Sequence, residues 1–267
     1  CLQELIAVNS ILCKYEYRLE EITAMKIEDF VQRIRFKSIQ PGNPVELPVF
    51  EETTNYKIPN LHNVKLEISN TTLPERDGHL KQILYELCLI PRMSTFAIGS
   101  IINQAVYLMQ KEHAYVNVGV WHGFTLLSGM VNNSNKICIG IDNFSEFYAP
   151  QAQFLTRFNQ YKSSCHFFYE LGYEEYFKKI HQGLIGVYMY DGSHSYENQL
   201  RGLQLAEPFF SNNCLIIIDD ANWADPPKAT FDFINNSSYE YQIVLDKQTA
   251  STMNPTFWNG LIILQRE

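Results

Sequence analysis

The 267-residue sequence has no C-x-x-C pair and no surplus of basic residues. It also has no apolar run near the ~20 residues that a membrane helix needs. Each absence removes a class of function. The six cysteines (Cys1, Cys13, Cys88, Cys138, Cys165 and Cys214) are scattered, which argues against a redox pair or a disulfide scaffold. Cys138 and Cys214 lie inside apolar runs and read as small core residues, and the pattern fits a reducing, cytoplasmic setting. Lys plus Arg number 21 against 29 Asp plus Glu, a net charge of -8. That balance leaves no electrostatic footprint for nucleic acid or for an anionic membrane, so small molecules or other proteins are the partners that remain. No G-x-S-x-G elbow is present and no cysteine has a convincing histidine partner, which removes the usual nucleophiles. There is no internal repeat and no low-complexity tract.

What is present is a hydrophobic content of 46%, ample for a core. Residues 1 to about 38 carry helical spacing, which "QPGNPVELP" (40–48) breaks because Pro and Gly there forbid a continuing helix. The sequence then reads as irregular up to residue 76, with one short strand expected at "VKLEI" (64–68). Residues 1–76 are taken as a mainly helical N-terminal appendage, a lid support or oligomer contact. From residue 77 two helical stretches, "HLKQILYELCLI" and "TFAIGSIINQAVYLMQ", precede a regular alternation. Apolar runs at 114–120, 136–141, 165–171, 184–190 and 214–219 alternate with helical segments. Such runs indicate a parallel sheet covered on both faces. Two late runs, 241–245 and 260–264, have no long helix between them and predict an antiparallel pair.

In such a sheet ligands bind at the carboxyl ends of the strands, so the polar residues there are the candidates. After the first strand comes "NVGVWHGFT", in which Gly119 permits a sharp turn and Gly123 a close approach at a helix start. Trp121 stands where a dinucleotide fingerprint needs glycine, which disfavours NAD but not a nucleoside ligand without pyrophosphate. Asp142 ends the second strand and can accept hydrogen bonds from ribose hydroxyls; helix capping is its plainer role. Tyr173 follows the third strand, near where an adenine would lie. Asp191 ends the fourth strand and the pair Asp219-Asp220 the fifth. Three carboxylates so placed repel one another unless something cationic sits among them, and a hard divalent ion such as Mg²⁺ suits oxygen ligands. His194, three residues past Asp191, is placed to accept a proton near neutral pH. His122 and His166 read as structural. Tyr190, Trp223 and Trp258 could line an apolar wall, although aromatics near strand ends more often fill the core.

Four stretches carry a resemblance: "YVNVGVWHGFT", "CIGID", "YMYDGSHSYENQLRGLQLAEPFFSNNCLIIIDDANW" and "WNGLIIL". From about residue 93 to the end the chain resembles class I S-adenosylmethionine-dependent methyltransferases. Within them it is most similar to the metal-dependent O-methyltransferases that act on macrolide-type sugar hydroxyls. The resemblance implies a Rossmann-like α/β fold over 77–267, with a mostly parallel seven-stranded sheet, helices on both faces and an antiparallel last strand. It further implies S-adenosylmethionine as cofactor, held by Asn117, Gly119, Gly123, Asp142 and Tyr173. Asp191, Asp219 and Asp220 would hold Mg²⁺ or another divalent cation, and His194 would act as the base. Asn117 stands where the family carries an acid. In this family the N-terminal region often helps define the substrate and the homo-oligomer.

The expectation is therefore methyl transfer from S-adenosylmethionine to a hydroxyl of a sugar or another small natural product. Two other readings use the same residues: a methyltransferase fold that binds a ligand without chemistry, and a metal-independent methyltransferase.

Overall fold

The computed structural model describes residues 26–45, 52–53, 56–57 and 61–267. The predicted helical spacing over residues 1–25 lies outside the described residues. Of the remainder of that stretch, Ile27–Arg33 is helical (α1) and buries Ile27, Phe30 and Val31, an i, i+3, i+4 stripe. The second helix, α2 (Leu61–Asn70), replaces the strand predicted at "VKLEI". Its buried positions Asn63, Val64, Glu67 and Asn70 follow helical spacing, and three of them are polar. Val64, Leu66 and Ile68 alternate with Lys65 and Glu67 in the sequence and so imitate a strand. Short helices α3 (Leu80–Ile83) and α4 (Tyr85–Cys88) lead to α5 (Phe96–Leu108). Thr95 caps α5, its hydroxyl accepting from the amide of Ile98 at 3.4 Å.

Seven strands then form one sheet: β1 (Ala114–Val118), β2 (Ile137–Ile141), β3 (His166–Tyr169), β4 (Ile185–Tyr190), β5 (Phe210–Asp219), β6 (Tyr241–Lys247) and β7 (Leu261–Arg266). The spatial order is β6-β7-β5-β4-β1-β2-β3. Strands β1 to β5 pair in parallel, whereas β7 runs antiparallel to both β5 and β6. The last strand is thus inserted between β5 and β6. This is the seven-stranded sheet with an antiparallel last strand that the resemblance implies. Helices α6 (Phe124–Met130), α7 (Gln151–Tyr161), α8 (Tyr173–Lys179), α9 (Tyr196–Ala206) and α10 (Asp225–Asn236) connect the strands.

Period-2 alternation sends β1 side chains into two cores. Val116 and Val118 join Tyr188, Ile216 and Ile262 on one face. Tyr115 joins Met189, Ile217 and Ile263 on the other, together with Phe30, Val31, Val64 and Leu73 from the N-terminal part. Each such buried aliphatic or aromatic side chain contributes about 1.5–3 kcal/mol, so the described N-terminal residues are packed onto the sheet. The predicted core cysteines Cys138 and Cys214 are fully buried. No helix among the described residues is long and apolar enough to cross a membrane.

Candidate active site

The carboxyl ends of β1, β2, β4 and β5 open into one cleft of about 570 Å³. It begins at the glycine turn after β1. Gly119 has φ +79°, and a Cβ there would lie 1.9 Å from the carbonyl oxygen of Asp191. Only glycine lets the β1 turn pass this close to the end of β4. The amide of Asp191 donates to Val118 O at 2.9 Å, so the turn and the first acid are held as a unit.

Asp142 closes the turn from β2. One of its oxygens accepts from the amides of Val120 at 2.8 Å and Trp121 at 2.9 Å, and the other from Phe144 at 2.7 Å. Three of its roughly four lone-pair directions are thus in use. The side chain lines the cleft, with one direction left for a ligand rather than the two assumed for a ribose pair.

Two expected cofactor contacts fall elsewhere. Asn117 does not line the cleft; it is fully buried on the Tyr115 face of β1. Its oxygen lies 3.1 Å from the Tyr115 hydroxyl, and its amide nitrogen donates to Gly119 O at 2.9 Å. It braces the turn from beneath, because the pleat points position 117 into the core. Gly123 does not line the cleft either. It starts α6 with φ +102°, and a Cβ would press on the Phe154 ring at 3.0 Å. Tyr173 does line the cleft, with its hydroxyl donating to Asn198 Oδ1 at 3.0 Å.

On the other side Asp191, His194, Asp219 and Asp220 come together as the strand-end argument requires. His194 Nε2 lies 3.4 Å from Asp220 Oδ2 and 3.9 Å from Asp191 Oδ1. Asp220 is held by Asn259, whose amide donates to its other oxygen at 2.9 Å. Asp219 Oδ1 is buried without a hydrogen-bond partner among the described residues. Burial raises the pKa of Asp191 well above the usual carboxylate value, and the charges of Asp219 and Asp220 push it further. Asp219 is raised in the same way, by burial and then by Asp220. His194 is lowered by burial, with Asp220 and Glu146 opposing, so the ring favours its neutral form. Among the described residues no three His, Cys, Asp or Glu side chains are drawn tightly enough to form a ready metal-holding group. The donors present are nonetheless all oxygen, crowded, and in one case unpaired, a set that suits a hard divalent cation.

Sequence reasoning missed several lining residues. Arg92, Met93 and Ser94 come from the segment before α5. Arg92 is bound to both oxygens of Glu67 at 3.0 Å, and Glu67 also accepts from the amide of Phe96 at 2.9 Å. Breaking this buried pair would cost roughly 3–5 kcal/mol. Met253 and Asn259 come from the loop between β6 and β7, tied down when Asn222 donates to Thr249 O and accepts from Thr249 N. The N-terminal segment grips the same loop: Ala250 N donates to Pro41 O at 2.8 Å, and Asn254 Nδ2 to Asn43 O at 3.2 Å. Trp223 and Trp258 both line the cleft, whereas Tyr190 is fully buried in the core. Among the described residues, six of the ten non-glycine residues with positive φ (Trp121, Phe144, Phe147, Asp220, Met253 and Trp258) are lining residues. Backbone strain therefore concentrates at this site, as it does where a ligand must be positioned. His122 and His166 are structural: Arg157 lies 3.0 Å from His122 Nδ1, and His166 accepts from Ser163 N.

Such a sheet, with an acid-lined cleft at the carboxyl ends of its strands, is a Rossmann-like α/β fold. A family model described as Methyltransferase domain matches residues 116–221. The fold is similar to the O-methyltransferase TomG from Streptomyces achromogenes, involved in tomaymycin synthesis and solved with SAM. That match has TM-score 0.52, 8% identity, 78% of this chain and 96% of that one. It is also similar to an O-methyltransferase from Bacillus cereus in complex with SAH (TM-score 0.50, 13% identity, 73% and 92% covered). A protein from Corynebacterium glutamicum is similar too (TM-score 0.52, 13% identity, 77% and 96% covered). No curated protein matches by sequence. Residues 116–221 are thus similar to a methyltransferase domain, and the fold is the Rossmann-like fold of the class I methyltransferases.

Proposed function

We propose that the protein transfers the methyl group of S-adenosylmethionine to a hydroxyl oxygen of a small natural product, a sugar among them, with help from a divalent cation. The observation that carries this reading is the convergence of Asp191, His194, Asp219 and Asp220 beside the Gly119 turn and Asp142 in one cleft. Gly119, Asp142 and Tyr173 are placed to receive the cofactor, with Asn117 supporting the turn. A cation held by Asp191, Asp219 and Asp220 would supply Lewis-acid polarisation of the acceptor hydroxyl. His194 Nε2, the ring nitrogen turned toward the acids, takes the hydroxyl proton. Asp220 and Asp191 stabilise the imidazolium that results. S-adenosylmethionine held by Gly119, Asp142 and Tyr173 would supply the methyl group to the acceptor oxygen and leave as S-adenosylhomocysteine. Because the sulfonium carries its own activation, the protein supplies mainly position and electrostatics. In His194→Ala, cofactor binding should survive while turnover falls by about 10²–10⁴-fold, the usual contribution of a positioned base. Unchanged turnover would remove His194 from the mechanism.

Two observations favour a second reading, a binding protein without chemistry. Asp142 already serves three backbone amides, and Asn117 faces the core. Cofactor binding without transfer to any hydroxyl acceptor would support it. Transfer that survives exhaustive chelation would instead favour a metal-independent enzyme.

A further inference from the structure

All three tryptophans of the chain, Trp121, Trp223 and Trp258, line the cleft. Trp223 is the most open of them at 47% exposure, and Phe147 in the same lining is 55% exposed. The Trp223 ring stands edge-on to the His194 imidazole, centroids 5.4 Å apart and planes at 87°. An acceptor that presents a hydroxyl to His194 therefore lies against this indole.

The charges around that seat are one-sided. Five carboxylates line the cleft: Asp142, Glu146, Asp191, Asp219 and Asp220. Among the described lining residues Arg92 is the only Lys or Arg, and Glu67 neutralises it through both carboxylate oxygens. A divalent cation and a sulfonium would together bring three positive charges to the five negative ones, so a negative excess remains. In a partly dehydrated cleft that excess repels anions strongly. Among the described residues three buried atoms of the lining also lack partners: Ser94 Oγ, His194 Nδ1 and Asp219 Oδ1. All three can pair with hydroxyl groups of a ligand.

Building on the methyltransferase reading, we propose that the acceptor is an uncharged or cationic ring compound seated against Trp223. Acceptors bearing phosphate, carboxylate or nucleotide-thioester groups are rejected by the field of the cleft. The exposed indole face would add cation–π attraction for a protonated amine.

Because every tryptophan lines the cleft, its charge is measurable without knowing the acceptor. Tryptophan fluorescence of the full chain, with S-adenosylmethionine and Mg²⁺ present, is quenched with caesium, iodide and neutral acrylamide at matched ionic strength. Caesium should quench more strongly than iodide, by roughly threefold after correction for their intrinsic efficiencies, as a focused negative field requires. The difference should shrink in Trp223→Phe, which removes the most exposed reporter, and in Glu146→Gln, which removes one carboxylate. Equal quenching by the two ions, or stronger quenching by iodide, overturns the inference. So does any phosphorylated or carboxylated acceptor that turns over faster than its uncharged counterpart. S-adenosylhomocysteine binding is titrated on the same samples. Binding with unbiased quenching overturns only the acceptor class, and biased quenching without binding overturns only the methyltransferase reading.

Discussion

The two ends of the cleft treat their carboxylates in opposite ways. At the β2 end Asp142 is satisfied by three backbone amides, and no other acid contacts it by hydrogen bond. At the β4 and β5 ends three acids crowd together, one oxygen of Asp219 has no partner, and burial with mutual repulsion raises the pKa of Asp191 and Asp219. The first acid is part of the scaffold and is stable as it stands. The second group carries an electrostatic cost of crowding, which a divalent cation would relieve on the proposed reading.

The sharpest way to break this contrast is Asp219→Asn. Turnover should fall by about 10³-fold or more through loss of the cation site, while the metal-free protein melts higher because one crowded charge is gone. Radiolabelled methyl transfer and differential scanning fluorimetry read the two effects. The same change at the scaffold end should behave differently. Asp142→Asn sets an amide nitrogen against backbone donors, at a cost of about 1–3 kcal/mol. It should therefore lower the melting temperature, and S-adenosylhomocysteine affinity with it. A rise in melting temperature there would erase the distinction.

A smaller effect is expected at Asn259, which orients Asp220 through its amide. Asn259→Ala should weaken Mn²⁺ binding, read by electron paramagnetic resonance, by about 10-fold, typical of groups that position a ligand. Unchanged Mn²⁺ affinity would mean that Asp220 needs no such support.

The smallest effect is on stability with pH. Burial lowers the pKa of His122 and of His181 to about 4, with Arg157 adding to the effect at His122. Below about pH 6.5 the unfolded chain takes up protons that the folded state refuses, so their contribution to stability is complete above pH 6.5 and is lost toward pH 4. The raised carboxylates act in the opposite sense. The comparison that isolates the histidine share is the melting temperature of wild type and His181→Phe across that range, with the variant the less acid-sensitive.

The sheet was legible because parallel strands covered on both faces are continuous apolar runs, and each run from 114 to 219 became a strand. The acids and His194 were legible for the same reason, since strand ends converge whatever the loops do. The N-terminal part was harder. Helix α2 turns Asn63, Glu67 and Asn70 inward, and Glu67 does so because its partner Arg92 lies 25 residues on. No local pattern signals a polar core face of that kind. The family position of Asn117 suggests a ligand contact, but the pleat of β1 decides where its side chain points, and that is into the core. Ser94, Met253 and Asn259 reach the cleft from irregular segments whose course depends on contacts such as Pro41 with Ala250, which the sequence does not announce.

The central claim is tested most directly by calorimetric titration of S-adenosylmethionine into metal-stripped protein, followed by Mg²⁺, in wild type and in Asp191→Ala. The account predicts cofactor binding in both and a separate Mg²⁺ heat in wild type alone. Absence of cofactor binding, or an Mg²⁺ heat that persists without Asp191, would contradict it.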